Sequence, residues 1–233
     1  MRPESDPASA CDLTNLVWRS LSGEHAHLAH GTRAALRYQP EVAPFGALEQ
    51  QSRACVENLA QLMQPGEEVC LVGQQADVPE LFEVISRSEA VQMVYDATSS
   101  PPVSSAGIRR LEPADLPSME ALIAAVFPGY FRRRTPEMGK YYGIFIAGQL
   151  AAMAGERFVP PGLREVSAIC THTAHQGKGL AAQLTQFLVG NILLGGRRPF
   201  LHVGSHNAKA MRLYSRLGFA ATAVVTTNFY RRK

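Results

Sequence analysis

Residues 165–182 read Glu-Val-Ser-Ala-Ile-Cys-Thr-His-Thr-Ala-His-Gln-Gly-Lys-Gly-Leu-Ala-Ala, and their hydrophobic period changes partway through. Val166, Ala168 and Cys170 alternate with Ser167, Ile169 and Thr171, as in a largely buried strand. From Leu180 the apolar residues fall at Leu180, Leu184, Phe187, Leu188 and Ile192, one stripe of an amphipathic helix. The switch comes at Gly177 and Gly179, whose missing side chains let backbone N–H groups converge on an anion at the positive end of the helix. Such a turn suits a pyrophosphate.

Three phosphate-loop patterns compete for it. A Walker loop needs Gly-x-x-x-x-Gly-Lys-Ser/Thr, and that spacing is absent. Gly177-x-Gly179-x-x-Ala182 satisfies the permissive dinucleotide pattern, which also wants an acidic residue about 20 positions on. After Glu165 the chain has no Asp or Glu, while it carries Lys178, Arg197, Arg198, Lys209, Arg212, Arg216, Arg231, Arg232 and Lys233. A phosphate-rich ligand fits that balance better.

The Pro/Ser-rich stretch from Ala97 to Gly107 cannot sustain a helix or a central strand and predicts a linker. It divides the chain into expected domains at 1–104 and 105–233. The first has 6 Lys/Arg against 14 Asp/Glu, the second 17 against 6, so the parts carry −8 and +11 of the overall +3. Opposite charges favour docking of the two parts. The 233 residues, 46% hydrophobic and 18% charged, suffice for real cores in a soluble protein. No stretch approaches the ~18 apolar residues of a membrane span, and the polar start gives no sign of secretion. Cys11, Cys55, Cys70 and Cys170 lack CxxC spacing, which points to free thiols in a reducing compartment, the cytoplasm. His25-x-His27-x-x-His30 does not put three imidazoles on one helical face, so no metal site is expected.

The first part reads as a smaller mixed α/β domain, with helices near 12–21, 50–63 and 78–87 and strands near 35–39, 68–73 and 91–96. Its run of strand, helix, strand parallels the end of the chain, as a degenerate copy of the same fold would. The second part predicts a strand at 108–111, a helix at 113–126, a helix at 131–139 and a hairpin of 141–146 with 150–158 turning at Ala147-Gly148. The opening strand and long helix follow, then a strand at 199–203, a helix at 207–217 and a strand at 219–230.

Gln176-Gly-Lys-Gly179-Leu-Ala181 matches motif A of the GNAT superfamily of acyl-CoA-dependent N-acyltransferases, Gln/Arg-x-x-Gly-x-Gly/Ala, and the order of elements in 105–233 resembles a GNAT domain. The glycine N-acyltransferase-like branch looks closest. The resemblance implies a mixed-sheet α/β fold and an acyl-CoA co-substrate, acetyl-CoA first, without a metal. Gln176, Gly177, Lys178, Gly179, Ala181 and Ala182 would hold the pyrophosphate, and Ile169, Cys170 and Thr171 would pair through their backbones with the pantetheine arm. Asn207 would touch that arm, or cap the helix that follows, or do both. Tyr214 matches the family's acid for the departing thiolate, though it also fits a core tyrosine. Glu165 lies 11 residues before Gln176, where several GNAT enzymes carry a glutamate base; its plain alternative is an ion pair with Arg164 or another basic residue. Cys170 is read as a small hydrophobe rather than a nucleophile, and His202 and His206 either line the acceptor pocket or serve as ordinary core or surface histidines.

The expected function is acyl transfer to a primary amine of a small molecule or peptide. A non-catalytic acyl-CoA sensor is the first rival. Nucleic-acid binding through Arg132-Arg133-Arg134 and Arg231-Arg232-Lys233 is the second and weaker one. No membrane partner is expected, and the reading leaves a homodimer open.

Overall fold

In a computed structural model that describes residues 13–96, 105–126 and 129–233, the strand, glycine turn and helix form as their periods require. Strand β9 (Leu163–Thr171) leads through the turn into α4 (Leu180–Leu194), which returns to β10 (Arg198–Gly204), parallel to β9. Leu184, Leu188 and Ile192, on the apolar stripe of α4, are buried against the sheet. Before this unit come β6 (Ile108–Arg110), α3 (Leu116–Val126), β7 (Tyr141–Ile146) and β8 (Gln149–Glu156), and after it α5 (Ala208–Arg216) and β11 (Phe219–Arg232). The β7–β8 hairpin turns at Ala147 and Gly148, with φ of 50° and 80°, the two left-handed residues of a tight hairpin turn.

The N-terminal part contributes α1 (Leu16–Leu21), β1 (Ala29–Gly31), β2 (Ala35–Tyr38), β3 (Phe45–Leu48), α2 (Arg53–Gln61), β4 (Glu68–Val72) and β5 (Phe82–Tyr95). Here α2, capped by the Ser52 hydroxyl, links the parallel strands β3 and β4 as α4 links β9 and β10. Among the described residues, eleven strands form one sheet in the order β1-β2-β3-β4-β11-β5-β10-β9-β8-β7-β6. The two parts exchange their last strands. β5 pairs antiparallel with β10 of the C-terminal part, β11 pairs antiparallel with β4 of the N-terminal part, and β5 and β11 pair with each other in the middle.

Most elements lie where the sequence puts them, with two corrections. The helix expected at 78–87 is a single turn, in which Phe82 N–H donates to the Val78 carbonyl (3.0 Å), followed by the long strand β5. Val78, Leu81, Phe82 and Ile85 imitate a helical stripe, but from Phe82 to Glu89 the backbone pairs antiparallel with β11, a ladder that only a strand satisfies. The helix expected at 131–139 shrinks to a 3₁₀ turn, Thr135–Met138, because Pro136 lacks an N–H and Gly139 ends it. Most of the expected linker, 97–104, lies outside the described residues, as does Cys11.

One apolar cluster joins Tyr38, Phe45 and Cys70 of the N-terminal part to Phe158, Leu163 and Phe200 of the C-terminal part. Ion pairs cross the same boundary: Arg231 meets Glu68 (2.8 Å) and Glu83 (3.2 Å), Arg198 meets Asp96 (2.7 Å), and Arg164 and Arg197 both meet Glu24. The charge asymmetry therefore takes up contacts within the chain. These pairs are partly exposed, so burial of the shared apolar cluster outweighs them energetically.

Candidate active site

β9 and β10 run together only from Leu163↔Arg198 to Glu165↔Phe200 and then diverge. The backbone edge of β9 beyond Glu165 faces no strand on that side, an opening suited to an extended ligand with amide groups. Ala168, at φ 50°, forms a bulge there, between the Cys170↔Met153 and Ser167↔Gly155 pairs with β8. The opening continues into a cleft of about 380 Å³, lined by residues from both parts of the chain, including Phe45, Val72, Arg157, Ile169, His202 and Tyr214. A smaller cavity of about 40 Å³ adjoins it, sharing Phe45, Tyr130, Arg157 and Ser167 and closed by Phe131 and Met138.

Beyond the end of β9 the chain turns through Gly177 (φ 79°) and Gly179 (φ 78°), with open space where either Cβ would stand. The N–H of Gln183 donates to the Gly179 carbonyl (3.0 Å), so those of Leu180, Ala181 and Ala182 lie in the first turn without intrahelical acceptors. Gln176 and Lys178 are exposed beside them, with Lys178 Nζ 3.1 Å from His175 Nδ1. This end of α4 therefore presents free backbone donors and a cation on one open surface.

Four of the expected site residues, Ile169, Cys170, Asn207 and Tyr214, line the cleft; Gln176 to Ala182 form an adjoining surface rather than part of its wall. Thr171 Oγ1 is buried without a hydrogen-bond partner among the described residues. The Asn207 side chain accepts from Ala210 N–H (3.0 Å), so it caps α5 while it lines the cleft. Tyr214 is 7% exposed in a cluster with Val203 and Phe219, and burial pushes its hydroxyl up to about 12. Burial likewise pushes the Cys170 thiol up to about 12, which disfavours a covalent route.

Glu165 is fully buried and does not line the cleft. Arg157 Nε donates to its Oε2 (2.7 Å) and Nη2 to its Oε1 (2.7 Å), His202 Nδ1 lies 2.7 Å from Oε1, and Phe158 N–H donates to Oε2 (3.3 Å). Burial alone would push this carboxyl up, but the Arg157 guanidinium and the His202 contact outweigh it and hold the carboxyl at about 2. The ion-pair alternative is thus the observed contact, with Arg157 in place of Arg164, which bonds Glu156 (2.7 Å) instead. Arg157 lies over the rings of Phe45 and Phe158, which touch each other edge to face, and with His202 it links Glu165 to the cleft wall. His202 Nε2 lies 3.1 Å from the Gln92 amide nitrogen, supplied by β5. Arg157 and Gln92 were not among the expected site residues. Arg157 was within reach of the sequence, since an antiparallel register about Pro160-Pro161-Gly162 sets it opposite Glu165. Gln92 left no local signal, because it reaches the site only through the strand exchange.

Among the described residues, no group of three or more His, Cys, Asp or Glu is placed to hold a metal, and no helix is long and apolar enough to cross a membrane. Arg231 and Arg232 are engaged within the chain, the latter on the Ala60 and Leu81 carbonyls, and Arg134 pairs with Glu137 (2.7 Å) and Gln39 (2.7 Å).

Residues 141–229 match the family model described as FR47-like protein. A GNAT-family protein from Novosphingobium aromaticivorans DSM 12444 is 36% identical, with a TM-score of 0.88 over 95% of this chain and 98% of its own. A GCN5-related N-acetyltransferase from Kribbella flavida shares the fold at 15% identity, with a TM-score of 0.61 over 95% of this chain and 96% of its own. No curated protein matches the sequence. The divergent parallel strands, the bulge, the glycine turn and the 36% identical structure along nearly the whole length agree, and the chain belongs to the GNAT (GCN5-related N-acetyltransferase) family.

Proposed function

We propose that this protein transfers an acyl group, acetyl first, from acyl-CoA directly to a primary amine of a small molecule or peptide. The observation that carries the reading is the continuity of one surface: the unpaired edge of β9 runs from the cleft that holds Tyr214 to the open first turn of α4. Along it, the backbones of Ile169, Cys170 and Thr171 would bond the pantetheine arm, Asn207 would lie beside that arm, and Gln176 to Ala182 would receive the pyrophosphate.

In the reaction, the amine nitrogen attacks the thioester carbonyl, the C–S bond breaks, and the Tyr214 hydroxyl donates its proton to the thiolate. Its raised pKa keeps it protonated at neutral pH, and among the described residues its hydroxyl has no protein partner to give up first. Glu165 stays ionised and acts from behind Arg157 and His202. The acceptor enters on the face of Arg157 and Ser167, against Phe45, Val72 and Ser88, so the N-terminal part forms a wall of its site. The spacing of Glu165 and Gln176 keeps the glycine N-acyltransferase-like branch as our reading, and the reduced cysteines Cys55, Cys70 and Cys170 suit the cytoplasm. Nucleic acid stays outside the proposal, because the arginine runs are largely engaged within the chain. Titration calorimetry with acetyl-CoA tests the donor half: binding is expected in the wild type, and its absence would remove the assignment.

A further inference from the structure

We propose that His202 is the base that takes the proton of the acceptor amine, that Glu165 acts through it, and that Gln92 serves both charge states of its ring. The inference rests on the acyl-transfer reading above. The acceptor face of the cleft offers no free carboxylate among the described residues. Glu165 has both oxygens engaged, and Glu89, which also lines the cleft, alternates along β5 with Ser88 and Ala90 and so shares with Val91 the face covered by α5. His202 reaches the cleft wall with its side chain 8% exposed.

The hydrogen bonds fix its tautomer. An ionised Glu165 only accepts, so the 2.7 Å contact places a proton on His202 Nδ1 and leaves Nε2 with a lone pair in the neutral ring. At 3.1 Å, the Gln92 amide N–H donates to that lone pair. Gln92 and His202 are directly opposed on β5 and β10, and the Phe200 ring packs 5.8 Å from the imidazole. Turned end for end, the same carboxamide presents its oxygen and accepts from a protonated Nε2. Glu165, held ionised by Arg157, then lies against the imidazolium and offsets its charge. The N-terminal part thus supplies the group that lets the ring change charge without a buried polar atom left unpaired.

Counting from the neutral amine, the acceptor N–H takes the place of the Gln92 donor on Nε2. The C–N bond forms, the nitrogen's proton passes to Nε2, the C–S bond breaks, and the thiolate takes the Tyr214 proton. Transfer through solvent from His202 to Tyr214 restores both groups.

Nitrogen-15 NMR of histidine-labelled protein, with His202→Asn to assign the ring, reads the first part without activity. The expected signature is a neutral ring with Nδ1 protonated and Nε2 bare, converted by Gln92→Glu to a ring protonated on both nitrogens. A neutral ring protonated on Nε2, or a Gln92→Glu spectrum identical to the wild type, overturns the assignment. In thiol-release kinetics, His202→Gln should lower kcat at least ~100-fold, the usual scale of general-base catalysis, with acetyl-CoA affinity by calorimetry within twofold of the wild type. An unchanged kcat overturns the base role alone. A wild type that binds acetyl-CoA but releases no thiol with any amine overturns the acyl-transfer reading and the base role with it, while the NMR signature stands.

Discussion

Arg157 and Glu165 form a bidentate ion pair, Nε to Oε2 and Nη2 to Oε1 both at 2.7 Å, across the turn that joins β8 to β9 and directly beneath the cleft. A buried carboxylate tolerates its lost hydration only when paired this way, so removing one partner costs more than the pair contributes net. Glu165→Gln should therefore destabilise the protein by about 3–5 kcal/mol, the scale for breaking a buried pair, in urea unfolding.

The same pair predicts acid sensitivity. The folded pKa of Glu165, about 2, lies below its ordinary value of 4.5, so its stabilisation is complete above pH 4.5 and is lost as pH falls through about 2. In Glu165→Gln, the loss of stability across this window should be smaller than in the wild type.

His25 covers the adjoining window. It is buried, with Nδ1 2.7 Å from the Tyr38 hydroxyl and Nε2 2.9 Å from the Met138 carbonyl, and burial pushes its pKa from 6.5 down to about 4. The unfolded chain takes up the proton first, so stability is full above pH 6.5 and falls as pH drops toward 4, by up to about 3 kcal/mol. In His25→Gln the slope of unfolding free energy between these pH values should flatten.

Gly179→Asp should abolish acetyl-CoA binding in calorimetry while circular dichroism stays native. The φ of 78° costs a non-glycine residue roughly 1–2 kcal/mol, and aspartate tolerates it better than most, whereas its charge opposes a pyrophosphate. Retained affinity would remove the turn from the donor site.

Tyr214→Phe removes a hydroxyl that has no protein partner among the described residues, so the melting temperature should hold. A fall in kcat of about 100-fold with donor affinity unchanged is the expected split for a lost proton donor. An unaffected rate would return Tyr214 to a purely packing role.

Local signals in the sequence carried β9, the glycine turn, α4, the Ala147-Gly148 hairpin and the Asn207 cap, because each is fixed by residues within about ten positions of one another. Tertiary context decided the rest. At 78–87 the apolar spacing of Val78, Leu81, Phe82 and Ile85 fits a helix, yet pairing with β11 from Phe82, joined by β10 from Ala90, makes one long strand instead. The same event carries Gln92 to His202, a contact over 110 residues that no local pattern encodes. The spacing to Gln176 singles out Glu165 as a candidate, but its burial behind Arg157 is not legible there, since spacing along a strand does not tell which side chain meets its carboxylate.

The most direct measurement is thiol release from acetyl-CoA across a panel of amino acids, polyamines, aminoglycosides and peptides, with the products identified by mass. Acyl transfer predicts release that depends on a particular amine and matches N-acetylated product one for one. Binding of acetyl-CoA with no amine-dependent release would contradict it and leave a sensor in place of an enzyme.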